Sequence, residues 1–129
     1  MNRKKILLVD DSNTILMMEK FILKNGPYDL VTASNGEEAV AKAKEQIPDL
    51  ILLDVIMPKM GGFDACRLIR AHEATSAIPI IMVTTRGEAA NVESGWANGC
   101  TDYVTKPINT LELLTKVRNY LGATEEVTQ

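Results

Sequence analysis

Residues 6–12, ILLVDDS, run four apolar side chains straight into two adjacent carboxylates, Asp10 and Asp11. Residues 49–58, DLILLDVIMP, behave alike, and their apolar run ends at Asp54. Short continuous apolar runs of this kind read as strands buried on both faces. A buried strand does not finish on uncompensated charge. Either these acids are solvated loop residues, or the fold gathers them for a purpose.

Outward from these two runs, strand-length apolar segments alternate with segments of helical period, the pattern of a parallel sheet covered by helices. Strands are expected at residues 5–10, 29–33, 50–54, 79–84 and 102–105. Helices are expected at 13–25, 34–47, 63–72, about 88–98 and 109–121, which completes five βα units. In the second helix Ser34 and Glu37 suggest a capping box, and Glu38 and Lys42 an i,i+4 ion pair. The first helix places Ile15, Met18 and Ile22 on one stripe, with Leu16 and Leu23 about 100° away. That surplus is either helix packing or a docking face. The last helix sets Leu114, Val117 and Leu121 on one face and pairs Glu112 with Lys116. Residues 1–121 read as one domain, and 122–129 as a disordered tail.

At 129 residues the chain has the length of one ordinary domain. No apolar run approaches the ~20 residues that span a bilayer, and Arg3-Lys4-Lys5 is followed by too short an apolar stretch for a secretory signal. A cytoplasmic protein is expected. Cys66 and Cys100 form no CxxC or Cys/His cluster, so they read as reduced thiols outside any metal or disulfide framework. The net charge of -3 argues against broad DNA binding and favours a protein partner. His72, the single histidine, sits near a helix C-terminus and complements its dipole.

In an open parallel α/β sheet, ligands bind beyond the carboxyl ends of the strands. Asp10 and Asp11 end the first strand, Asp54 the third and Thr84 the fourth, while Lys106 follows the fifth, so all meet on one edge. Carboxylates ~4 Å apart repel by up to about 4 kcal/mol per pair at an effective dielectric of 20. Lys106 neutralises one charge, and an oxygen-only ligand set suits a hard cation such as Mg²⁺. Asp10 and Asp11 taken alone are also candidates to cap the first helix, a task open to Ser12 or Asn13. Mg²⁺, a carboxylate, a hydroxyl and an ammonium together suit phosphoryl transfer, with Asp54 as the nucleophile.

The motifs VDDS, LLDVIMP, VTT and DYVTKP, in this order and spacing, closely resemble the receiver domain of two-component response regulators. The resemblance covers residues 4–121 and implies a flavodoxin-like (βα)5 fold with strand order 2-1-3-4-5. It implies that Asp54 accepts a phosphoryl group from a histidine kinase or phosphotransfer protein. Asp11, Asp54 and the Ile56 carbonyl are then direct Mg²⁺ ligands, and Asp10 acts through water. Thr84 and Lys106 contact the phosphoryl group, the Lys106-Pro107 peptide is cis, and Thr84 and Tyr103 form a switch. Tyr103 also reads, without the family, as a strand tyrosine with its hydroxyl in water. Phosphorylation is expected to alter the surface of the fourth helix, fifth strand and fifth helix toward a downstream protein target. Self-dephosphorylation then ends the signal. The output expected is that of a single-domain regulator of chemotaxis or phosphorelay type, monomeric or transiently dimeric, and not an enzyme with an external substrate.

Three departures from the family pattern stand out. Gly61 replaces an acid before the third helix, Thr85 replaces a smaller residue, and Ile56 and Arg86 stand where polar or acidic residues are common. A haloacid dehalogenase-like phosphatase needs a second acid two residues after its nucleophile, where this chain has Ile56. A phosphate-independent pseudo-receiver is opposed by the intact acid set. Flavin binding is opposed by Asp10 and Asp11, which stand where a phosphate loop is needed.

Overall fold

The computed structural model describes residues 3–85 and 97–122. Its strands are β1 (Lys4–Val9), β2 (Tyr28–Ala33), β3 (Leu50–Asp54), β4 (Ile80–Thr85) and β5 (Asp102–Lys106). The helices among the described residues are α1 (Asn13–Leu23), α2 (Gly36–Gln46), α3 (Gly62–Ala71) and α4 (Thr110–Leu121), with a 3-10 turn at Glu73–Thr75. α4 therefore corresponds to the helix expected at 109–121. The helix expected at about 88–98 lies largely outside the described residues. The strands form one parallel sheet in the order β2-β1-β3-β4-β5, as expected.

Period-two alternation divides the core. Leu7, Val9, Ile51, Leu53, Ile80 and Met82 pack with Ala39 and Ala43 of α2 and Ala65, Cys66 and Ile69 of α3. Ile6, Leu8, Leu50, Leu52, Ile81 and Val83 pack with Leu16 and Leu23 of α1 and Leu113 and Val117 of α4. Each strand is apolar on both sides because helices cover both sides. Both cysteines are buried free thiols, and burial pushes the Cys66 thiol up to about 11, away from reactivity.

Three local expectations change. α2 is capped by Asn35 rather than Ser34: the Asn35 side chain accepts from Glu38 N at 2.8 Å. Glu38, not Glu37, reaches back to accept from Ser34 N at 2.8 Å, so the box is shifted by one residue. The buried stripe of α1 is Leu16, Glu19 and Leu23, while Met18 is 40% exposed and Ile15 and Ile22 are half-buried. In α4 the buried pair is Leu113 and Val117, and Leu114 and Leu121 pack only partly. In the latter two helices the sheet meets the helix about one position away from the stripe chosen by hydropathy. The expected pairs Glu38–Lys42 and Glu112–Lys116 are present at 3.4 Å and 3.8 Å.

Candidate functional site

The strand register assembles the site. Leu8 lies beside Leu52 in adjacent parallel strands, and extending that register by two residues sets Asp10 beside Asp54. Asp54 pairs with Val83, Thr84 with Thr105 and Thr85 with Lys106, so the remaining groups follow at the same edge. A cleft of about 160 Å³ results, lined by Asp10, Asp11, Ser12, Asp54, Val55, Ile56, Thr84 and Lys106.

Local chemistry fixes each member. Asp10 Oδ1 accepts from Ser12 N at 2.9 Å, and the Ser12 side chain caps α1 by accepting from Ile15 N at 3.3 Å. Asp10 is thereby a buried turn acid, and Asp11, the exposed one, is left to face the cleft. After β3 the chain doubles back so that Gly62 N donates to Val55 O at 2.7 Å. A Cβ on Gly62 would lie 2.1 Å from the Asp54 carbonyl oxygen, so only glycine fits there. Gly61 caps α3 without a side-chain hydrogen bond, as the departure at this position implies.

Lys106 Nζ donates to Asp54 Oδ1 at 3.1 Å and lies 3.3 Å from Asp10 Oδ2, although the latter pair lacks hydrogen-bond alignment. Burial and then Asp10 push the Asp54 carboxyl up to about 6, with Lys106 pulling the other way. Burial draws the Lys106 ammonium down, but the hydrogen bond and charge of Asp54 and the charge of Asp10 hold it above its ordinary value. Thr84 is buried and lines the cleft, whereas Ile56 is 69% exposed at its rim. Tyr103 is buried against the α2 and α3 side of the sheet. The Lys106-Pro107 peptide is cis. Arg86 and the side chain of Thr85 lie outside the described residues.

The residues fit a hard divalent cation. Oxygen atoms of Asp10, Asp11 and Asp54 come within 4.8 Å of one another, and Asp10 Oδ2 is buried without a hydrogen-bond partner. One lysine cannot neutralise three carboxylates, and an all-oxygen donor set is the one Mg²⁺ prefers.

The sequence matches the family model described as response regulator receiver domain over residues 6–118. The chain belongs to the response regulator receiver family. Receiver domains are signalling phosphoacceptors that bind Mg²⁺ at an acidic pocket. This receiver is 39% identical over 122 residues to the alkaline phosphatase synthesis transcriptional regulatory protein PhoP of Bacillus subtilis, covering 95% of the chain and 50% of that protein. It is 42% identical to the transcriptional regulatory protein ResD of the same organism, covering 93% of the chain and 49% of ResD. The chain thus spans about half the length of these curated relatives. Among solved structures it resembles the chemotaxis protein CheY4 of Vibrio cholerae, with a TM-score of 0.86 and 35% identity over 92% of this chain and 99% of that one. It also resembles the receiver domain of a sensor histidine kinase from Pseudomonas aeruginosa PAO1, with a TM-score of 0.87 and 30% identity over 95% and 100% of the two chains. That structure has a magnesium ion coordinated in its active site cleft. Among the described residues, no helix of this receiver is long and apolar enough to cross a membrane.

One buried acid escaped the sequence reading. Glu19 of α1 is 1% exposed, and burial together with Asp10 pushes its carboxyl up to about 8. The sequence carries its signal, since Glu19 falls at helical spacing between Leu16 and Leu23, but a stripe drawn through Ile15, Met18 and Ile22 leaves it at the margin of the apolar face and not at its centre.

Proposed function

We propose that this receiver accepts a phosphoryl group on Asp54 from the phosphohistidine of a sensor histidine kinase or phosphotransfer protein. An Asp54 carboxylate oxygen attacks phosphorus, the phosphorus–nitrogen bond breaks, and the imidazole keeps the electron pair and takes up a proton. Asp11, Asp54 and the Ile56 carbonyl would hold Mg²⁺, with Asp10 acting through water, and the bound ion would supply positive charge against the transferred group. Lys106 steadies the phosphoryl oxygens, and Thr84 donates to them. The observation that carries this reading is the Asp54 carboxylate, buried at the sheet edge, 3.1 Å from Lys106 Nζ and facing Asp10 and Asp11.

The output in this reading is a change at β5, α4 and the segment before them, driven by Thr84 and Tyr103 as up to two negative charges arrive at Asp54. The target is a protein in the cytoplasm rather than DNA, in keeping with a net charge of -3. The folded unit is residues 1–121, acting as a monomer or a transient dimer in a chemotaxis-like relay. Self-dephosphorylation ends the signal, and there is no other reaction.

Incubation with Mg²⁺ and acetyl phosphate should shift the chain on a Phos-tag gel. Asp54→Ala should abolish the shift and leave the far-ultraviolet circular dichroism unchanged. Unaltered mobility of the wild type with Mg²⁺ and donor both present would favour the phosphate-independent pseudo-receiver.

A further inference from the structure

Among the described residues, the buried members of the charged residue types are Asp10, Asp54 and Glu19. The first two already belong to the site. Glu19 sits on the stripe of α1 that also buries Leu16 and Leu23, against the sheet side formed by Ile6, Leu8, Leu50, Leu52 and Val104. Continuing the alternation of those strands gives Asp10 after Leu8, Asp54 after Leu52 and Lys106 after Val104. Glu19 therefore lies on the side of the sheet toward which the three charged groups point. The charges acting on it are those of Asp10, Lys106 and Asp54, and the only buried side-chain oxygens without a hydrogen-bond partner among the described residues are Glu19 Oε1 and Asp10 Oδ2.

Burying a carboxyl group with an oxygen left over costs stability, and a leucine or methionine at this place in α1 would cost none. Such a cost persists where it serves a site. We propose that Glu19 is a positioning residue of the phosphoacceptor site, which strengthens Mg²⁺ retention by acting on Asp10 from beneath. The proposal rests on the reading of Asp10, Asp11 and Asp54 as the Mg²⁺ pocket. Its direction does not depend on where the proton is. An ionised Glu19 adds negative potential under the cation, and a neutral one keeps a polar carboxyl, with Oε1 unengaged, beside the charges of the pocket where methionine would leave only apolar surface. Either way, its loss weakens the cation's hold.

The test is isothermal titration of Mg²⁺ into the full chain, as wild type, Glu19→Met and Glu19→Gln, with metal-free melting curves of each. Groups that orient metal ligands are typically worth on the order of tenfold in affinity, so the Kd of Glu19→Met should rise about that much while its Tm stays level or increases. Glu19→Gln should shift the Kd in the same direction by less, and supplies the reading if the methionine variant fails to fold. In an Asp10→Asn background the effect of Glu19→Met should shrink, because the two substitutions remove one interaction. A Kd within about twofold of wild type in both variants, or full additivity with Asp10→Asn, overturns the proposal and leaves Glu19 a core residue. A wild type that binds no Mg²⁺ overturns it together with the underlying reading, an outcome distinct from wild-type binding that Glu19 does not affect.

Discussion

Gly62 shows how closely one residue can govern the site. The backbone of Asp54 occupies the space that a Cβ at position 62 would need, with the Asp54 carbonyl oxygen 2.1 Å from it and Val55 Cα 3.0 Å away. None of these atoms is the free end of a flexible side chain, so Gly62→Ala must move the strand end that carries Asp54. Overpacking of this kind costs typically 1–3 kcal/mol, and urea denaturation should report a loss of about that size. The rate of labelling by acetyl phosphate should fall as well, because in-line attack is sensitive to displacements of about 1 Å. Unchanged stability and an unchanged rate would mean that the loop relaxes freely around the added methyl. The site was legible in the sequence at this scale because chemistry-bearing residues at strand ends follow from the strands themselves: once residues 6–9 and 50–53 are strands, Asp10 and Asp54 have one edge to share. Glu19 was not legible in that way. Its role depends on which helical stripe meets the sheet, and hydropathy placed the stripe of α1 one position off.

At the scale of elements, β5 is tied to α4 by one carboxylate. Asp102 Oδ1 accepts from Lys116 Nζ at 3.0 Å and from Tyr103 N at 2.8 Å, while Asp102 Oδ2 accepts from the Tyr120 hydroxyl at 3.0 Å. Lys116 also donates to the Tyr103 carbonyl. Burial raises the Asp102 carboxyl, but these donors outweigh it and hold the group below its ordinary value. A folded-state value below the unfolded one contributes stability above the unfolded pKa and loses it as the pH falls through the depressed value. With the carboxylate partly solvated, Asp102→Asn should cost about 1 kcal/mol at pH 7 in urea denaturation. That difference from wild type should vanish in acid, once the wild-type carboxyl is itself protonated. A difference that persists there would assign the loss to shape rather than charge. Helix ends gave the sequence reading its other error. Ser34 and Asn35 are both good caps, and adjacent candidates followed by adjacent glutamates cannot be ranked without knowing where β2 releases the chain.

Over the whole molecule, the site is a net cost to the fold until a cation arrives. Two apolar layers around β1, β3 and β4 hold three carboxylates within a few ångströms of one another against a single lysine, and burial, followed by the charge of Asp10, drives Asp54 up to about 6. The core supplies the stability that this arrangement spends. Removing one of the repelling charges should therefore stabilise the metal-free chain even as it removes function, a trade common at functional sites. Asp11→Asn, which leaves the buried Asp10 and Asp54 in place, is the conservative version, and its metal-free Tm should lie above that of wild type. Mg²⁺ should invert the order. A ligand that binds only the folded state adds about 2.7 kcal/mol at a hundred times its Kd, which raises the wild-type Tm by several degrees, whereas Asp11→Asn, short of one of the ligands proposed above, should respond weakly. Differential scanning calorimetry of both chains with EDTA and with excess Mg²⁺ decides the matter. If wild type and variant rise equally on adding Mg²⁺, the ion acts elsewhere on the surface; if Asp11→Asn melts lower than wild type in EDTA, the gathered carboxylates are not under strain and Asp11 holds the fold in some other way.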